Sequence, residues 1–361
     1  MTNIPRVASL ADRLGVEGVL FKDPGYATWA TWLPRSVFGG VAVLVTRDGG
    51  LEFYTHTLEA ARIERLAPGA EVYVYSRYPL PGLQVDAPSL RELLAKRLRG
   101  RRVACGDDEA CREAREAGVE AVDAREEAKR LRMVKTGEEL ERIREALRIA
   151  EDALAKTVEA LSEGLTEIEV AGIHEHLLRR LGSEGHAFAQ GGVLTIVAFG
   201  ENTAYPHWDP GRDKLRRETP VLIDTGAVYE RYLSDVTRST WFGASPDPEW
   251  RKALEAVEHA VGEAVDAVEP GVEARVVDEA ARRALGAYAR HFPHATGHGV
   301  GVEVHEEPSI SPGSKTRLEE GMVFTIEPGV YIPRRFGVRI EQMVVVEARG
   351  ARVLNHLPLM L

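Results

Sequence analysis

The chain has 361 residues, 44% of them hydrophobic and 28% charged, and a formal net charge of −10. That length exceeds the usual size of one hydrophobic core, so two domains are expected, and the composition is that of an ordinary soluble globular protein. The acidic balance excludes a nucleic-acid partner, because phosphate binding needs a basic face; the short cluster Lys96-Arg97-Leu98-Arg99-Gly100-Arg101-Arg102 reads as a solvated helix end.

No stretch approaches the ~18 consecutive apolar residues of a membrane span, and Met1 to Arg6 lacks an apolar signal core. No membrane association and a cytoplasmic address are therefore expected. Cys105 and Cys111 are the only cysteines, which is far from a disulfide scaffold and fits a reducing compartment. Scarce Asn, Gln and Cys is a bias seen in thermophiles, and the excess of Arg over Lys is equally the mark of a GC-rich genome. A Cys105–Cys111 disulfide stays open on these grounds.

Along the first 130 residues strand and helix signals alternate. Gly18 to Phe21, Val41 to Val45, Leu51 to Tyr54, Val72 to Tyr75 and Val103-Ala104 read as strands; Leu58 to Leu66 and Ser89 to Leu98 read as helices. This predicts an α/β domain over 1–130 with no catalytic cluster of its own. Thr136-Gly137-Glu138-Glu139 has the spacing of a capping box and opens a long amphipathic helix to about Leu161, so the second domain is taken as 131–361. Within it a shift of 107 positions lays Ala146-Leu147 on Ala253-Leu254, Gly164 on Gly271 and Val170 on Val277. A repeated helix pair followed by strands predicts two pseudo-symmetric α+β halves with a ligand site between them.

Five potential metal ligands follow in order: Asp224, Asp235, His298, Glu327 and Glu341. Alone, each acid reads as a solvated carboxylate. Together they do not, because Asp224, Glu327 and Glu341 directly adjoin apolar strand-like runs, where an unpaired charge is expensive. Asp224 ends one run and Asp235 begins another, so a hairpin turning near Tyr229-Glu230 would set them opposite each other. Glu327 and Glu341 flank a second turn at Pro333-Arg334-Arg335. Opposed cross-strand positions bring Cβ atoms to roughly 4.5–5.5 Å, near enough to share ions. Four carboxylates and one imidazole are what two neighbouring divalent cations need. His298 lies among glycines in Thr296-Gly297-His298-Gly299-Val300-Gly301, which allow close backbone approach; by itself it is a turn histidine, His207 a surface-loop histidine and His305 a core-edge one.

Ile223-Asp224-Thr225-Gly226-Ala227, Tyr232 to Arg238, Gly297 to Gly301, Val304-His305-Glu306-Glu307-Pro308, Thr325 to Tyr331 and Gly337 to Glu341 resemble the signature blocks of the pita-bread metallopeptidases, most of all the Xaa-Pro branch of prolidase and aminopeptidase P. The blocks span the C-terminal two thirds. The resemblance implies a creatinase-like N-terminal α/β domain serving dimerisation and the active-site rim, then a pseudo-symmetric pita-bread catalytic domain. It also implies a homodimer acting on a small peptide with proline at the second position, with two divalent ions per subunit, Mn2+ or Co2+ favoured and Zn2+ possible. Asp224 would hold one ion, His298 and Glu327 the second, and Asp235 and Glu341 both. Glu327 would accept a proton, His207 and His305 would bind substrate at the scissile carbonyl, and Arg339 would orient carboxylates from behind.

Two departures qualify the transfer. Arg231 stands where the family usually has Gly, and Ser309-Ile310-Ser311 stands where prolidases carry an arginine for the dipeptide carboxylate. Xaa-Pro dipeptidase is therefore the expected activity, with aminopeptidase P on longer peptides as the alternative. Asp224-Thr225-Gly226 also fits an aspartic-protease loop, but only one copy exists and four ligands would go unexplained. A non-enzymatic binding module on the same fold would have lost ligands, and all five are present.

Overall fold

The computed structural model describes residues 3–78, 82, 84–185 and 195–360. It divides into two compact units, Met1–Arg132 and Met133–Leu361.

The first unit is built on a six-stranded sheet in the order Glu71–Tyr75, Leu51–His56, Ala42–Thr46, Gly18–Phe21, Val103–Cys105, Ala121–Asp123. Ala42–Thr46 runs antiparallel to both its neighbours and the remaining pairs are parallel. The apolar run Gly18–Phe21 is buried along its whole length, as a strand covered on both faces must be. Ile4–Leu14 and Pro24–Thr31, helices not predicted from the sequence, also belong here. Pro24–Thr31 buries Ala27, Thr28, Trp29, Ala30 and Thr31 in succession, so it has no polar face to create a 3.6-residue rhythm. Its start is set instead by Pro24 at the first position and by Asp23, whose side chain accepts from the Gly25 and Tyr26 amides. Strand Val103–Cys105 and helix Asp108–Glu116 bring the Cα atoms of Cys105 and Cys111 to 5.0 Å, and the two residues form a disulfide. The sequence left that pairing open.

In the second unit Thr136 and Glu139 form the reciprocal capping box that starts helix Gly137–Glu159, and Thr166 and Glu169 do the same for helix Glu167–Arg180. A second helix pair, Pro248–Asp266 and Ala274–Leu285, repeats the arrangement. Gly164 and Gly271, 107 residues apart, both adopt left-handed backbone with φ of 96° and 89°. Each is followed by an isolated antiparallel bridge, Thr166 to Lys214 and Glu273 to Arg317. Only glycine takes such φ values without steric cost, and this preserves the internal repeat at the helix break.

The strands of this unit form a three-stranded sheet (Val236–Phe242, Thr219–Thr225, Ile196–Phe199), a five-stranded sheet (Glu306–Ile310, Gly297–Gly299, Val323–Ile326, Gln342–Val346, Ala351–Val353) and the hairpin Gly329–Ile332 with Phe336–Arg339. Val257 and Leu254 pack on Val330, Val338 and Ile340, while Val277 and Ala281 pack on Phe324, Ile326 and Val344. Each such buried side chain contributes about 1.5–3 kcal/mol, which fixes the strands that carry the acids. Among the described residues no helix is long and apolar enough to cross a membrane.

Candidate metal centre and active site

Asp224 lies on strand Thr219–Thr225 with Thr237 directly opposite, and Thr225 faces Val236. The expectation that Asp224 and Asp235 stand opposite each other is therefore corrected: Asp235 sits two residues further along, a diagonal neighbour on the same face. The cause is the connection, which has its own two-residue ladder between Val228–Tyr229 and Tyr232–Leu233, after which the Ser234 amide donates to the Ala227 carbonyl. Its turn residues, Glu230 and Arg231, have φ of 42° and 77°. That conformation explains why glycine suits the position that Arg231 occupies. Here the Arg231 guanidinium is held by Glu184 at 2.6 Å.

Glu327 and Glu341 face each other in the gap between two ladders of one register, after the Ile326–Gln342 pair and before Gly329–Arg339. The run from Gly337 to Val346 is thus two strands, interrupted at Ile340-Glu341. Released from mutual pairing, the Glu341 amide donates to Thr237 O (3.2 Å) and the Glu327 amide to Thr296 O (2.8 Å). These two bonds draw strand Val236–Phe242, which pairs with that of Asp224, and the start of the His298 strand to the gap. A Cβ on Gly297 would run into the Thr325 carbonyl, and one on Gly299 into the Glu307 backbone, so His298 reaches the acids because glycine flanks it.

The side chains converge. His298 Nε2 lies 3.2 Å from Glu327 Oε1 and 3.7 Å from Asp235 Oδ2. Ligand atoms of Asp235, His298 and Glu341 all fall within 4.8 Å of one another. Asp224, Asp235 and Glu341 are 8%, 4% and 1% exposed, yet Asp224 Oδ1, Asp235 Oδ1 and Glu341 Oε1 have no hydrogen-bond partner among the described residues. Burial raises the pKa of all three, reinforced for Asp235 by the Glu341 charge and for Glu341 by that of Glu327. At Glu327 burial also pushes upward, but the hydrogen bond and charge of His298 outweigh it and hold the carboxyl down at about 2. Buried acids with unsatisfied oxygens repel one another unless a cation lies between them. Oxygen-rich donors with one imidazole and no thiolate fit a hard or borderline divalent ion.

Arg339 is the counterion inside the cluster. Only 3% exposed, it pairs with Asp224, donates from Nε to Thr237 Oγ1 at 2.9 Å and from Nη1 to Tyr331 Oη at 3.0 Å and the Pro206 carbonyl at 3.3 Å. Thr237 Oγ1 in turn donates a hydrogen bond to Glu341 Oε2 at 2.9 Å, so one guanidinium orients two ligand carboxylates.

A cavity of about 940 Å³ opens onto the cluster, lined by all five ligand residues together with His207, His294, His305 and Arg339. The His305 ring stands edge-on to His298 at 4.3 Å between centroids. Burial, and then the neighbouring His298 charge, depress its pKa to about 4. His207 is an exposed residue of the cavity wall. One cavity residue, His294, escaped the sequence reading. His294 lines the cavity with Nε2 at 2.9 Å from Tyr331 Oη, which links it to Arg339. Its only sequence signal is the spacing of four from His298, which on an extended chain returns to the same side.

With that geometry in place, residues 141–348 match metallopeptidase family M24. The chain belongs to this family. An Xaa-Pro dipeptidase of Pyrococcus furiosus is 43% identical over 229 residues, which cover 63% of this chain and 64% of that protein. The matched stretch therefore spans slightly less than two thirds of that relative's own length. Among solved structures, an X-Pro aminopeptidase from Thermotoga maritima superposes with a TM-score of 0.86 at 29% identity, covering 100% of this chain and 99% of its own. A prolidase from Pyrococcus horikoshii gives 0.83 at 29% identity, covering 99% and 98%. The M24 chain thus has the pita-bread fold preceded by an α/β unit, in the Xaa-Pro branch.

Proposed function

We propose that this M24 chain hydrolyses the peptide bond preceding proline, with Xaa-Pro dipeptides as substrate. The observation that carries the proposal is the set of three buried, unpartnered carboxylate oxygens around His298, in a cavity also walled by His207 and His305. Asp224, Asp235, His298, Glu327 and Glu341 would hold two divalent ions, Asp235 and Glu341 serving both, and the carboxylate excess supports Mn2+ or Co2+ with Zn2+ also accommodated. Such ions lower the pKa of an attacking water and draw charge from the scissile carbonyl. Glu327, beside the ions that would hold it ionised, would accept a proton from the attacking water. His207 and His305 donate to the carbonyl oxygen as it gains charge, and Arg339 fixes Asp224 through the guanidinium and Glu341 through Thr237. A homodimer is part of the same reading, and sedimentation of the protein at twice the mass of one chain would agree with it.

A specific observation favours a second reading, aminopeptidase action on longer peptides. Among the described residues lining the cavity the one Arg or Lys is Arg339, already bonded to four groups, and Ser309 is bound to Ser311 at 3.0 Å. The test is kcat/KM for an Xaa-Pro dipeptide against the tripeptide extended after proline, with Mn2+ present. Preference for the dipeptide supports prolidase activity; a tenfold preference for the tripeptide selects the aminopeptidase, and inactivity on both removes the proposal.

A further inference from the structure

We infer that Glu167 is a positioning residue for His207, an inference that rests on the reading above in which His207 touches substrate. Glu167 is the first residue of helix Glu167–Arg180 and is fully buried. Its Oε1 accepts from the Phe199 amide at 2.8 Å and from Asn202 Nδ2 at 2.9 Å. Its Oε2 accepts from Trp208 Nε1 at 2.8 Å and from the Gly211 amide at 2.9 Å. All four donors lie on the segment 199–211 that carries His207, and none of them can act as an acceptor. Both ends of the excursion and its tip thus hang on one carboxylate.

The tip is gripped from two sides. Pro206, immediately before His207, offers its carbonyl to Arg339, and Trp208, immediately after, gives its indole proton to Glu167. Trp208 also packs on Tyr205, with ring centroids 5.6 Å apart. His207 is exposed and has no hydrogen bond of its own among the described residues, so the neighbours that hold its backbone decide where its ring can reach. An acid at the first turn of a helix has a simpler use, favourable interaction with the helix dipole. That use needs no partner beyond the helix end, whereas this carboxylate is fully buried and accepts four hydrogen bonds from another segment.

Glutamine is isosteric but cannot replace it. Its single carbonyl serves two donors, and its NH2 would face the other two. In E167Q one oxygen's pair of bonds is therefore lost, and the excursion shifts. The experiment measures Xaa-Pro hydrolysis by wild type, E167Q, H207A and the double variant, each with its metal content, together with a crystal structure of metal-loaded E167Q. E167Q is expected to lower kcat tenfold or more with KM within twofold and metal content unchanged. In the H207A background the same substitution is expected to cost less than twofold, because the group it positions is gone. The crystal structure is expected to show the His207 ring displaced by 1 Å or more on the scale at which positioning matters. An equal fold-loss in both backgrounds, loss of metal, or an unmoved His207 ring would overturn the inference. W208F removes one donor only and is expected to fold where E167Q does not; it should lower kcat threefold or more in the wild-type background and be silent with H207A, and a loss in both would count against the inference. The crystallographic arm needs no substrate, so a wild type inactive on Xaa-Pro peptides would refute the proposed function and still leave the positioning claim decided.

Discussion

Lys135→Met tests how the loop of His305 is held. Lys135 Nζ lies 2.6 Å from Glu306 Oε1 with the two side chains 1% and 5% exposed, and a longer bond of 3.3 Å runs to the Met133 carbonyl. Glu306 directly follows His305 and starts strand Glu306–Ile310. Lys135→Met takes from the buried Glu306 carboxylate its ammonium partner, and breaking a buried ion pair from one side costs about 3–5 kcal/mol. At about 2–4 °C per kcal/mol for a domain of this size class, Tm should fall by roughly 6–20 °C. Replacing both partners in K135M/E306L removes the buried carboxylate as well and should recover most of the loss. Urea unfolding of the metal-loaded protein, followed by far-UV circular dichroism and by fluorescence, gives both free energies if the probes coincide. A K135M protein within 1 kcal/mol of wild type, or a double variant no more stable than the single, would refute the reasoning.

Further outcomes follow from the acid cluster and from its backbone. The folded-state pKa values of Asp235 and Glu341 lie well above those of the unfolded chain, so at these two sites the metal-free folded protein holds protons that the unfolded one releases. Its stability should therefore fall as pH rises from the ordinary carboxylate range through the folded pKa values; thermal scans of chelated protein from pH 5 to 8 should show this decline, and metal-loaded protein should not. Metal binding should release protons, more of them at lower pH, as titration calorimetry in buffers of different ionisation heat will register. Gly297→Ala should push the His298 strand off the Thr325 carbonyl, lowering metal content and turnover together; unchanged metal content would count against the close approach described here.

Much of this site could be read along the chain because each ligand acid ends or begins an apolar run, where charge has no structural excuse. The register could not be read as easily. Asp224 and Asp235 looked like partners in a simple hairpin, but the separate ladder at Val228–Leu233 and the left-handed Glu230 and Arg231 displaced the pairing to Thr237. Pro24–Thr31 had no rhythm because it is buried on nearly every side. Glu167 looked like any acid in a first helical turn, and only the fold shows that its partners lie some 30 to 45 residues further on. Long-range polar contacts of this kind leave no local periodicity.

The central claim is metal-dependent cleavage before proline, and one titration tests it most directly. Enzyme stripped by chelator is titrated with Mn2+ while both bound metal and hydrolysis of an Xaa-Pro dipeptide are followed. The account predicts no turnover without metal and activity that rises to a break at two equivalents per subunit. Full activity in the stripped protein, or saturation of binding at one equivalent or fewer, would contradict it.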